Sequence, residues 1–215
     1  MFQIKICGVR RAEDLPHIAA AGADAIGLNF YPQSKRYLKS DQAAAVSVAV
    51  PDGVARVGVF VNASTTEMLA AAEQYGLHYL QLHGDEPPEQ LAELHDWPVI
   101  KAFRFGSEGW TPIEQYIAEC KRQDALPVAI LIDAPGAAGS YGGTGMAADW
   151  QALADWRSHI DLPLILAGGL TPENVAEAIR VVHPSAVDTA SGVEGADCFK
   201  DPDATRRFIT ACRSV

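Results

Sequence analysis

Eight short apolar runs recur along this chain, each separated from the next by enough residues for a helix. They are Phe2–Cys7, Ala25–Phe30, Ala55–Val61, Tyr79–His83, Val99–Phe103, Val128–Asp133, Leu164–Ala167 and Ala186–Thr189. Runs of this length, bounded by turn residues, predict strands. The intervening segments carry a helical period instead. Met68, Leu69, Ala72 and Tyr75 fall on one stripe, and so do Val175, Ala178, Ile179 and Val182. Thr171-Pro172 predicts a helix start, with Thr as the cap and Pro at the first helical position. Strand–helix alternation of this kind implies parallel strands joined by right-handed crossovers.

Eight such units predict a closed (β/α)8 TIM barrel, with an open doubly wound sheet as the competitor. The strand faces separate the two. Alternation puts Gln3, Lys5, Cys7, Asn29, Arg56, Gln81, His83, Lys101, Asp133 and Asp188 on one face. The opposite face takes Phe2, Ile4, Ile6, Ile26, Leu28, Val57, Val59, Leu80, Leu82, Ile100, Ile130 and Ile132. A doubly wound sheet is covered by helices on both sides and should be apolar on both. A barrel can be apolar outward and partly polar inward, which is the pattern here. No composition shift or Gly/Ser-rich linker divides residues 1–215, so one domain is expected.

Bulk properties narrow the partners. The chain has 215 residues, 48% of them hydrophobic, and a formal net charge of -10. That charge argues against nucleic acid or an anionic membrane as partner, but local donors can still hold a small anion. No apolar run approaches membrane-span length, and the N-terminus enters a strand without a signal-peptide pattern, so a cytoplasmic protein is expected. The four cysteines show neither disulfide-scaffold density nor metal-type pairing, and no cluster has metal-ligand spacing. No apolar stripe is surplus to the barrel, which favours a monomer and leaves a homodimer open.

In barrels of this kind chemistry sits at the C-terminal ends of the strands. Cys7 ends the first and Asp133 the sixth. Cys7 reads either as a small buried hydrophobe or, beside Lys5, as a thiol biased toward thiolate. Asp133 reads as a loop cap or as an acid whose pKa is raised by burial. Glycine turns follow three late strands: Gly142-Gly143-Thr144-Gly145, Gly168-Gly169 and Ser191-Gly192. They are either flexible punctuation or backbone cradles for a phosphate. Arg36 is a surface cation or a fork for a carboxylate. His83 could move protons or brace the scaffold. Arg56 reads as structural, and Lys101 stays undecided. The remaining histidines and the four tryptophans read as packing or connecting residues.

An ordered set of short segments resembles the phosphoribosylanthranilate isomerase family of tryptophan biosynthesis. The segments include Lys5-Ile6-Cys7-Gly8, Phe30-Tyr31-Pro32 with Arg36, Val57-Gly58-Val59-Phe60-Val61-Asn62, Gln81-Leu82-His83-Gly84, Asp133-Ala134, Gly142-Gly143-Thr144-Gly145, Gly168-Gly169-Leu170, and Val187-Asp188 with Ser191-Gly192-Val193-Glu194. The resemblance implies a cofactor-free Amadori rearrangement of N-(5-phosphoribosyl)anthranilate to the 1-deoxyribulose 5-phosphate. It implies Cys7 as general base and Asp133 as general acid, with Arg36 on the anthranilate carboxylate. Gln81, His83, Gly143, Gly145 and Asp188 would bind substrate, and Gly168, Gly169, Ser191 and Gly192 would hold its phosphate. The sequence departs from the family's usual pattern at Arg10, Ala148 and Ala190 and in the stretch Gly195-Ala196-Asp197-Cys198. Two rivals remain. A histidine-pathway isomerase would be expected to carry a carboxylate where Cys7 stands, and a catalytically silent sugar-phosphate binder would lack a matched acid and base.

Overall fold

In the computed structural model, which describes residues 1–133 and 150–215, eight parallel strands close into a barrel in sequence order. They are β1 (Ile4–Cys7), β2 (Ala25–Asn29), β3 (Ala55–Phe60), β4 (Tyr79–Leu82), β5 (Val99–Arg104), β6 (Ala129–Asp133), β7 (Leu164–Leu166) and β8 (Ala186–Thr189). β8 pairs back onto β1, so no strand edge is left open. Helices follow the strands: α1 (Leu15–Ala21), α2 (Ser40–Ala49), α3 (Thr65–Tyr75), α4 (Pro88–Glu93), α5 (Thr111–Arg122), α6 (Trp150–Leu153), α7 (Val175–Val182) and α8 (Pro202–Arg213). The (β/α)8 barrel read from the hydrophobic pattern is the observed fold. No helix among the described residues is long and apolar enough to cross a membrane.

Local chemistry sets the helix boundaries. Ser64 caps α3 by accepting from the Glu67 amide, while Glu67 reaches back to the Ser64 amide, a reciprocal capping box. Asp201 caps α8 ahead of Pro202 in its first turn. The start predicted at Thr171-Pro172 is three residues early, because α7 begins at Val175 behind Asn174. The Asn174 side chain accepts from the Thr171 amide and donates to the Gly169 carbonyl, folding the approach into a turn tied to the end of β7.

Two apolar layers hold the barrel. Ile4, Ile6, Ile26, Leu28, Leu80, Leu82, Ile130 and Ile132 point outward and are buried against the helices. A smaller cluster of Phe2, Ala25, Val57, Ile100, Leu131 and Ile165 lies inside. Above that plug the inward residues become polar, and the site begins there.

Three face assignments from the alternation are corrected here. Phe2 precedes β1, turns inward and meets Tyr79 edge-on, with centroids 5.5 Å apart. In β3, Val57 and Val59 face in and Arg56 faces out, where its Nε donates to the Gly76 carbonyl. In β5, Ile100 faces in and Lys101 faces out. Valine and isoleucine suit either face of a barrel wall, so their polarity could not fix the register. Lys101 is 2% exposed, sealed beneath the loop after β4, and its Nζ donates to Glu86 Oε2 and to the Gly84 carbonyl, each at 2.8 Å.

Candidate active site

At the C-terminal end of the barrel one cavity is lined by Cys7, Arg36, Gln81, His83, Asp133 and Asp188, with Gly168, Gly169 and Ser191 at one rim. β1 and β6 stand three strands apart around the eight-strand ring, close to diametric. Cys7 and Asp133 therefore face the cavity from nearly opposite walls. Gly192 adjoins the rim, with its Cα seated against the Leu170 carbonyl so closely that a side chain would collide. Gly143 and Gly145 lie outside the described residues.

Register explains the charges beneath Cys7. Lys5 and Asp188 are cross-strand partners on β1 and β8, and Lys5 Nζ lies 2.8 Å from Asp188 Oδ2. Burial alone would depress the Lys5 ammonium, but Asp188 and Cys7 outweigh it and hold it charged. The second Asp188 oxygen, Oδ1, is buried without a hydrogen-bond partner among the described residues, so it can accept from a ligand hydroxyl. For Cys7 itself burial is the largest influence and pushes the thiol up, while Lys5 pulls down less strongly. The resting group is a thiol, a correction to the bias toward thiolate expected from Lys5 alone.

The opposite wall carries a hydrogen-bonded chain. Gln81 Nε2 lies 2.8 Å from His83 Nδ1, and His83 Nε2 lies 3.2 Å from Asp133 Oδ2. With the Gln81 amide nitrogen donating, the imidazole carries its proton on Nε2 and donates to Asp133. The opposite amide orientation reverses the tautomer and lets His83 accept from a protonated Asp133. Gln81 and His83, expected as direct substrate contacts, form the hydrogen-bonded support of Asp133.

At the rim, Gly168 (φ 85°) and Gly169 (φ 66°) occupy consecutive left-handed positions after β7. Their N–H groups and that of Ala190 have no backbone acceptor among the described residues. Thr189 Oγ1 donates to the Leu170 carbonyl and locks the two turns together. Backbone amides arranged in this way can seat an anion. Among the described residues no group of His, Cys, Asp or Glu is arranged to hold a metal ion.

Arg36 reaches the cavity from the loop after β2 and is 7% exposed. It already has a carboxylate on it: Glu194 accepts from Nε at 2.5 Å and from Nη2 at 2.7 Å. Lys200 Nζ donates to the same Glu194 Oε1 at 2.8 Å. Burial opposes charge on Arg36, but Glu194 outweighs it and holds the guanidinium charged.

The sequence model described as N-(5'phosphoribosyl)anthranilate (PRA) isomerase matches residues 4–211. The chain belongs to that family. It is 42% identical over 214 residues to the N-(5'-phosphoribosyl)anthranilate isomerase of Myxococcus xanthus, covering 99% of this chain and 97% of the relative. The crystal structure of phosphoribosyl anthranilate isomerase from Thermotoga maritima superposes with a TM-score of 0.87 at 38% identity, covering 100% of both chains. A phosphoribosyl anthranilate isomerase in complex with reduced 1-(o-carboxyphenylamino)-1-deoxyribulose 5-phosphate gives a TM-score of 0.84 at 36% identity, again over 100% of both chains.

Sequence reasoning missed Lys200 and the use made of Glu194. Glu194 was visible only as part of a family segment, and Lys200 sits in a loop with no periodic signal. The Glu194 contact with Arg36 spans 158 positions, which no local pattern reports, and Lys200 joins it only through Glu194.

Proposed function

We propose that this protein catalyses the Amadori rearrangement of N-(5'-phosphoribosyl)anthranilate in tryptophan biosynthesis, with Asp133 as general acid and Cys7 as general base. Protonated Asp133 delivers its proton to the ribose ring oxygen. The C1–O bond breaks onto that oxygen while the anthranilate nitrogen lone pair forms the C1=N bond. The Cys7 thiolate then takes the C2 proton, and the C2–H electrons become the C1=C2 bond of an enolamine. Proton return to C1 and loss of the C2 hydroxyl proton give the ketone. No electrons leave the substrate, so the reaction needs no redox group. A buried thiol needs help to ionise, and the fully buried Lys5 ammonium, adjacent on the same strand face, supplies a fixed positive charge when the thiolate forms.

The remaining roles follow the substrate's two anionic ends. Arg36 takes the anthranilate carboxylate, and the amides of Gly168, Gly169, Ser191 and Gly192 take the phosphate. Asp188 accepts from a sugar hydroxyl through Oδ1. His83, held by Gln81, keeps Asp133 aimed. Gly143 and Gly145 are assigned to the substrate on the family resemblance alone.

The observation that carries the reading is the convergence of Cys7 and Asp133 on one cavity from nearly opposite strands. The test is turnover of N-(5'-phosphoribosyl)anthranilate by purified protein. Cys7→Ala and Asp133→Asn should each lose on the order of 10²-fold or more in kcat, with unchanged circular dichroism. Near-wild-type turnover in either variant removes that residue from its role. Failure of the wild-type chain to rescue growth of a tryptophan auxotroph lacking only this isomerase would refute the whole assignment.

A further inference from the structure

Arg36 offers the cavity only part of its guanidinium. The group has five N–H donors in a planar fork. Glu194 occupies one edge, taking a proton from Nε and one from Nη2. Among the described residues nothing accepts from Nη1, so Nη1 and the second Nη2 proton form a free edge that can grip another carboxylate bidentately. Arg36 lines the cavity, whereas Glu194 and Lys200 do not. They sit behind it, with the Glu194 side chain 4% exposed and that of Lys200 0%.

The surroundings fix this arrangement from two sides. Lys200 Nζ donates to Glu194 Oε1 and to the Ala190 carbonyl at 3.0 Å, so it pins Glu194 to the turn after β8. Gly8 lies against the stem of Arg36, where a Cβ would overlap Arg36 Cδ, and its φ of 72° is left-handed. The charge count is two cations to one anion, an excess of one positive charge that a substrate carboxylate would neutralise. Burial opposes charge on Glu194, but Arg36 and Lys200 outweigh it and hold its carboxyl below the usual range.

We propose that Glu194, pinned by Lys200, is a positioning residue that turns the free edge of Arg36 toward the substrate carboxylate without itself touching substrate. This rests on the reading that Arg36 binds the anthranilate carboxylate. Glu194 has one competing role with the opposite sign: a plug that occupies Arg36 and must be displaced by the substrate. A positioning carboxylate strengthens carboxylate recognition, whereas a plug weakens it.

The experiment measures Kd of wild type and Glu194→Gln for two probes. One is reduced 1-(o-carboxyphenylamino)-1-deoxyribulose 5-phosphate, and the other is its phenylamino counterpart without the carboxylate. Wild type should prefer the carboxylate-bearing probe by about tenfold or more. Glu194→Gln should lose most of that preference while its affinity for the carboxylate-free probe stays within about twofold. An intact preference in the variant, an equal loss for both probes, or tighter binding of the carboxylate-bearing probe would each overturn the proposal. No preference in wild type would instead overturn the assignment of Arg36, and that result is separable from the turnover test above. Should Glu194→Gln fail to fold, the paired variant Glu194→Gln with Lys200→Met removes the buried charge pair as a unit and is judged by the same outcomes.

Discussion

Cys7 illustrates how two neighbours of one side chain compete. Lys5 was legible in the sequence as its companion, because a period of two puts residues 5 and 7 on one strand face. The outcome of the contest was not legible, because the degree of burial depends on the strands and loops that close over the site. Burial wins, and the thiol lies above its ordinary value of 9.0. A group raised in this way is protonated at neutral pH and becomes thiolate only as pH rises through the shifted value. Alkylation of Cys7 by iodoacetamide, followed by mass spectrometry, should therefore show a midpoint above that ordinary value. Lys5→Met should move the midpoint further up, because it deletes the largest influence favouring the anion. A midpoint that stays put in Lys5→Met would break the claimed coupling between the two residues.

At the scale of elements, the sequence reported strand existence well and strand orientation unevenly. β1 was readable because it alternates polar with apolar up to Cys7, and β6 because an all-apolar run ends in the single polar residue Asp133. β3 and β5 were not, because a barrel interior is itself apolar in its lower half and accepts valine or isoleucine as readily as the outer layer does. Lys101 shows the consequence. Its polarity suggested the cavity, yet it closes an outward network in which Glu86 accepts from the Asn62 and Gly84 amides and thereby ties the loops after β3 and β4 to β5. Removing one partner of such a pair strands the other in a buried site. Lys101→Met should lower unfolding stability by about 3 kcal/mol in urea titrations. A change below about 0.5 kcal/mol would show that Glu86 is satisfied without it. His159 offers a second, pH-dependent link, joining the segment after α6 to α5. It stacks on Trp110 at 5.3 Å, and its Nδ1 lies 2.7 Å from Glu114 Oε1. That hydrogen bond raises the imidazole above its ordinary 6.5, so the contact stabilises the fold below that value and fades as pH rises through the raised one. His159→Phe, which keeps the stacking, should lower Tm more at about pH 6 than at about pH 9. Equal losses at both would rule the contact out as a source of pH dependence.

For the molecule as a whole, the eightfold repeat of strand and helix was the strongest signal in the chain, and it determined the barrel before any residue was given a role. The net charge of -10 is compatible with the doubly anionic substrate proposed above because three cations are buried at or behind the cavity wall: Lys5, Arg36 and Lys200 are all at most 7% exposed. The acidic balance is thus a property of the outer surface. That surface also bears on assembly. Among the described residues the exposed large hydrophobics are Met1, Val48, Leu126, Val128 and Val215. Met1 precedes β1, Val48 lies on α2, and Leu126 and Val128 precede β6, three strands around the ring from β1. We read them, spaced around the ring in this way, as separate apolar spots rather than as one face of the size that a stable, hydrophobic dimer interface requires. Sedimentation equilibrium should accordingly return a mass near the chain's 23.0 kDa at micromolar concentration. A value near twice that would mean that residues at the N-terminal end of the barrel, Leu126 and Val128 foremost, are covered by a second copy. Replacing both with Ser should then restore the single-chain mass without reducing turnover, because the active site opens at the other end.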